Sequence, residues 1–154
     1  GFESLRPALD AARQTGRGVF VLALTSNPEG ASVQHVGGED SVARRIVRAA
    51  AAENDGAGPG SVGLVIGATA GAAVRKLGLD LATLNGPILA PGVGAQGAGR
   101  QELQQTFAGA SGVILPNSSR EILSAGPSVE ALREAIAATQ RSVGSGGNAG
   151  SGAD

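Results

Sequence analysis

The sequence predicts an α/β fold on a parallel sheet, with half the strands of a closed (β/α)8 barrel. Three observations predict it. Apolar runs of strand length alternate with segments of helical periodicity, the order that gives parallel strands joined by right-handed crossovers. Within the runs, successive residues are apolar, the pattern of strands buried on both faces. Each run ends in polar or glycine residues, at the strand edge where parallel α/β folds bind ligands. The closed form has eight strands, and this chain of 154 residues supplies four.

The elements follow in order. Phe2 to Thr15 carries Leu5, Ala8, Leu9 and Ala12 at helical spacing, and Gly16 and Gly18 close that helix. Residues 18–24 form the first strand, ending at Thr25-Ser26-Asn27-Pro28. Glu29 to Gly38 reads as loop. Glu39 to Asn54 reads as a helix with Val42, Ile46, Val47 and Ala50 inward and Arg44, Arg45 and Arg48 outward. After a glycine-rich break, Val62 to Gly67 is the second strand and Ala70 to Leu77 a short helix. A third strand begins at Pro87 and runs into Gly92-Val93-Gly94-Ala95-Gln96-Gly97, with a helix from Arg100 to Ala108. Gly112 to Leu115 is the fourth strand, ending at Pro116-Asn117-Ser118-Ser119-Arg120. A helical turn over Glu121–Ser124 and a helix over Ser128–Arg141, with Ser128 as N-cap, complete a domain over 1–142. Residues 143–154, rich in Gly, Ser, Asn and Ala, read as a flexible tail.

Composition narrows the function. A 42% hydrophobic chain with net charge −1 can bury a core but offers no basic field for nucleic acid. Three phenylalanines, with no Trp or Tyr, give no base-stacking platform. Without cysteine and with one histidine, thiolate chemistry and His/Cys metal clusters are excluded, so no metal is expected. No apolar run approaches the roughly 20 residues that span a bilayer. No membrane partner is therefore expected, and a cytoplasmic setting is the default. Gly1-Phe2-Glu3 has no initiator Met and enters a helix at once, so the sequence is expected to begin inside a longer fold.

The turn at 92–97 carries the main signal. Gly92, Gly94 and Gly97 permit a tight turn and close approach of backbone to a ligand. A helix starting just beyond aims its amino end back at the turn, which suits phosphate. Gln96 is the turn's one polar side chain. The letters match the dinucleotide fingerprint G-x-G-x-x-G, but that motif belongs to a first strand and wants an acid about 20 residues on. Asn117, Ser118 and Ser119 stand there instead. In Asn117-Ser118-Ser119-Arg120, the arginine suits bidentate phosphate contact. Ser118 and Glu121 equally have the spacing of a helix capping box. Thr25-Ser26-Asn27 offers hydrogen bonds to a polar ring edge, or forms a plain turn before Pro28. His35, the lone Lys76 and Arg44, Arg45 and Arg48 read as solvated surface. No strand end carries a carboxylate or lysine for acid–base or covalent work, so no catalytic residue is assigned in this chain.

In series, residues 21–28, 63–69, 91–97 and 117–120 resemble orotidine 5′-phosphate decarboxylase of the mycobacterial-type subgroup, over Gly1 to about Arg141. The resemblance implies strands five to eight, the carboxyl-terminal half of a TIM barrel. The family is usually a homodimer, uses no cofactor and converts orotidine monophosphate to uridine monophosphate and carbon dioxide in pyrimidine synthesis. It implies that Ser26 bonds the pyrimidine, Pro91 packs on the base, Gln96 grips phosphate and base from the loop, and Arg120 holds the phosphate. Ser119 stands where many relatives have glycine, so its backbone N–H is the implied contact. The family's charged Asp-x-Lys-x-x-Asp motif lies on earlier strands and is absent here. An amino-terminal half barrel is thus an implied partner, and this chain alone is expected to be inactive. A non-catalytic phosphate- or nucleotide-binding half barrel is the alternative.

Overall fold

The computed structural model describes residues 1–94 and 97–144. Four strands, β1 (Val19–Leu24), β2 (Val62–Ile66), β3 (Ile88–Pro91) and β4 (Ile114–Asn117), form one parallel sheet in the order β1-β2-β3-β4. Each strand lies beside its sequence neighbour, so every right-handed crossover turns the same way and the helices gather on one face. A doubly wound dinucleotide fold needs a reversal of strand order, and this sheet has none.

The helices are α1 (Arg6–Gln14, after a 3-10 turn over Phe2–Leu5), α2 (Ala31–Gln34), α3 (Val42–Glu53), α4 (Gly71–Lys76), α5 (Arg100–Thr106), α6 (Arg120–Ser124) and α7 (Val129–Val143). Leu9 of α1, Val47 of α3, Val74 of α4 and Leu103 of α5 pack with Val21, Leu64, Ile66, Ile88 and Ala90 into one core. No helix among the described residues is long and apolar enough to cross a membrane.

Polar groups fasten this layer to the sheet. Asn54, 4% exposed, ends α3. Its side-chain amide donates to the carbonyls of Val62 and Leu84, both at 2.8 Å, and its Oδ1 accepts from the Val62 N–H at 3.0 Å. Gly60 and Gly86 leave the space it fills. Next to it, Glu53 receives Arg6 through two hydrogen bonds, 2.7 and 3.1 Å, and also Arg13, tying α1 to α3. The Arg6 guanidinium foremost, with Arg13, holds the Glu53 carboxyl below the ordinary carboxylate value.

The structure corrects several expectations. β1 is covered on one face only: Phe20 and Leu22 are 43% and 54% exposed, while Val21, Ala23 and Leu24 are buried. The register slips between Leu22 and Leu24, a bulge that turns both Ala23 and Leu24 inward. The 29–38 loop contains α2. The following helix starts at Val42, because the Ser41 hydroxyl accepts the Arg44 N–H there; Ala43 is buried and Ile46 only partly so. β4 lies two residues later than expected, taking in Pro116 and Asn117. As an end strand, it tolerates the proline's missing N–H. α7 has Ser128 as N-cap, as expected, and reaches Val143, one residue into the expected tail.

Candidate ligand site at the carboxyl edge of the sheet

The ends of β3 and β4 frame a cavity of about 190 Å³ lined by Pro91, Gly92, Val93 and Asn117 to Arg120. That volume suits a phosphate group better than a whole nucleotide, since small-molecule pockets run to roughly 300–1,000 Å³. The glycines behave as their placement demands: Gly92, Gly94 and Gly97 have φ of 104°, 74° and 82°. The loop closes on itself. Gly94 N–H donates to Ala98 O (3.0 Å) and Gly97 N–H to Gly94 O (2.7 Å), while Val93 N–H reaches Asn117 O on the neighbouring strand (3.4 Å). Gln96 lies outside the described residues.

The amino end of α5 is partly capped. The Glu102 carboxylate accepts the Gly99 N–H at 2.9 Å, and this bond, then one from its own N–H, lowers its pKa. A side chain of the helix thus takes up the Gly99 and Glu102 N–H groups, while those of Arg100 and Gln101 in the same turn are not capped by it. The expected Ser118–Glu121 capping box does not form. Ser119 is the N-cap of α6 and makes no side-chain cap bond. Ser118 Oγ is buried without a hydrogen-bond partner, and the Ser119 hydroxyl donates to Asn117 Oδ1 at 3.5 Å. The Glu121 carboxylate lies where a Cβ on Gly94 would fall.

Arg120 is thus the one cationic side chain lining the cavity, with the orphaned Ser118 hydroxyl beside it. An oxyanion would meet a guanidinium and a hydroxyl there. Val93 was not among the expected contacts, and Asn117 and Ser118 belonged to the expected strand-end motif without a role of their own. For Ser118 the capping-box spacing gave a competing explanation, and only its missing partner separates the two. Ser26 sits two strands away at the end of β1 and does not line this cavity. It packs on Gly67, where a Cβ would lie 3.4 Å from its own. Its neighbours are committed locally: Thr25 exchanges hydrogen bonds with Gln34, and Asn27 donates to Glu29. Among the described residues, no group of three His, Cys, Asp or Glu side chains could hold a metal.

A sheet without strand reversal, with an arginine-lined cavity at the ends of its last two strands, belongs to the barrel class of α/β proteins and carries a candidate ligand site at its carboxyl edge. The family model for orotidine 5′-phosphate decarboxylase / HUMPS matches residues 1–135, and the chain belongs to that family. It is 52% identical over 138 residues to an orotidine 5′-phosphate decarboxylase of Salinispora arenicola and 51% identical to one of Streptomyces coelicolor, in each case over 88% of this chain. These alignments cover 48% of either relative, so the chain spans about half the length of the curated relatives it matches. A Toxoplasma gondii crystal structure assigned as an orotidine-monophosphate decarboxylase superposes with a TM-score of 0.64 and 28% identity, over 92% of this chain and 53% of that one.

Proposed function

We propose that this chain is the carboxyl-terminal half, strands five to eight, of an orotidine 5′-phosphate decarboxylase barrel, and that it holds the nucleotide rather than performing the chemistry. The observation that carries the reading is the cavity between the ends of β3 and β4, lined by Arg120 and followed directly by the short helix α6. Barrels place phosphate between their seventh and eighth strand ends, beside a short extra helix. The uncovered sheet face supports the same reading, as does α7, which has no buried residue although its Val129 and Ile136 are apolar. In a complete barrel both would be covered by the other four strand–helix units.

In this reading Arg120, the Ser119 N–H and Gln96 bind the phosphate, Pro91 packs on the base and Ser26 bonds the pyrimidine edge. Phosphate entering the cavity moves the Glu121 carboxylate off Gly94, because two anions there repel. Breaking the C6–carboxylate bond leaves an electron pair on C6, and a proton must be delivered to it. The lysine and aspartates that resemblance assigns to that step belong to a motif outside these residues, on the first four strands of the barrel. Phosphate binding then contributes remote binding energy toward assembling that site. Homodimerisation of the completed barrel and a cytoplasmic setting follow from the same family reading.

The test is a uridine monophosphate titration with and without a polypeptide carrying the Asp-x-Lys-x-x-Asp motif. Binding is expected to fall at least tenfold on Arg120→Ala, and decarboxylation to appear only when both halves are present. Turnover by the 154-residue chain alone would overturn the division of labour. Uridine monophosphate binding with no activity in the reconstituted pair would favour a non-catalytic binding half barrel.

A further inference from the structure

Three side chains that read as solvated surface in the sequence, and a fourth beside them, are brought together outside the strand-end cavity. They are His35, the only histidine; Lys76, the only lysine; and Arg44 and Arg75. They come from three elements: the end of α2, the first turn of α3 and the last turn of α4. With Glu39 and Gly78 they line a concavity of about 500 Å³. That is within the volume range of small-molecule sites, roughly 300–1,000 Å³.

Arg44, Lys76 and His35 meet a single carboxylate there, in a chain whose net charge is −1, while the Arg75 guanidinium folds back along α4 to within 3.4 Å of where a Cβ on Gly71 would lie. Among the described residues the ion pairs use Arg6, Arg13 and Arg48, and none uses Arg44, Arg75 or Lys76. Arg44 is half-buried and held: its Nη1 donates to the Glu39 carbonyl at 2.8 Å. Its guanidinium also reaches Gly78, where an added Cβ would lie 3.9 Å from Cζ. Complementing the carboxyl end of α4 accounts for Arg75 and Lys76. It does not account for Arg44 and His35, which converge from other elements. Like charges gathered without a counterion repel, and a bound anion removes that cost.

We propose that this concavity between α3 and α4 is a second ligand site, for a small molecule bearing a diphosphate or triphosphate. The excess of cations over the one acid matches an anion of two or more charges, and guanidinium groups suit phosphate oxygens. The lining has no Phe, Tyr or Trp to stack a base, so the polyphosphate is what is read. Arg120 lines a separate cavity that shares no residue with this one, so the two sites bind independently.

Isothermal titration of the purified protein with inorganic pyrophosphate tests this. A dissociation constant below about 1 mM at low salt is expected, weakening as ionic strength rises. Measured in the Arg120→Ala background, which removes the strand-edge anion site, Arg44→Ala should weaken binding about tenfold and Lys76→Gln a few-fold. Lys76 is exposed, so Lys76→Gln and Lys76→Glu decide the matter if Arg44→Ala fails to fold by circular dichroism. Affinity weaker than about 1 mM overturns the proposal. So does indifference to the Lys76 variants, or loss of binding on Arg120→Ala, which would place the anion at the strand edge.

Discussion

The two faces of the sheet carry equally apolar residues and meet different surroundings. Toward the helices, Leu64, Ile66, Ile88 and Ala90 are fully buried. On the other face, Phe20 and Leu22 of β1 and Leu115 of β4 remain 40–54% exposed, with the Phe20 ring lying over Gly63. Solvent-facing sheet positions are normally polar, giving strands an alternating pattern. Here the open face keeps the composition of an interior, which teaches that these strands are built for a second covering. Four helices complete one side, and the other is an apolar surface of the kind that marks an interface.

Breaking the covered face should cost most. Leu64→Ala is expected to destabilise the chain by about 3 kcal/mol in urea unfolding, through lost burial and an unfilled cavity. Leu22→Ala, on the open face, should stay within about 0.5 kcal/mol and instead weaken association with the amino-terminal half proposed above. Equal losses at the two positions would mean that Leu22 is already covered. The anchors of the helical layer come next. Asn54→Ala leaves the Val62 N–H and two carbonyls buried without partners, and about 2 kcal/mol is expected in the same assay.

Acid should loosen α1 more gently. The Glu53 carboxyl is held below its ordinary value, so its contribution is fully present above about pH 4.3 and is lost as pH falls through the lowered folded value. Amide exchange in α1 should therefore speed up below that ordinary value and match an Arg6→Ala variant there. Exchange along β2 should lag behind. Simultaneous loss of protection in α1 and β2 would show that the Glu53 anchor does not act locally.

Particular elements show what was legible. Periodicity located all four strands and the helices that follow them, because apolar spacing reports burial directly. The glycines at 92, 94 and 97 were legible because only glycine adopts their left-handed backbone cheaply. Arg120 stood out from its place at a strand end and Pro91 only through the family resemblance, and both line the cavity. β4 was misplaced by two residues because Pro116 ordinarily ends a strand, and only its position at the end of the sheet makes it tolerable. α2 was missed as a single helical turn in a glycine-bounded segment. The capping box was legible yet unformed, since its Glu121 finds Gly94 across the loop.

The order of strands and helices, the turns that need glycine and the residues at the strand ends were set by the sequence alone, through local sterics and the periodicity of burial. Which apolar face is covered was decided by the tertiary structure. So was the free Ser118 hydroxyl, and so was the meeting of His35, Arg44, Arg75 and Lys76. Those facts depend on distances between elements far apart in the chain, and spacing along the chain does not encode them.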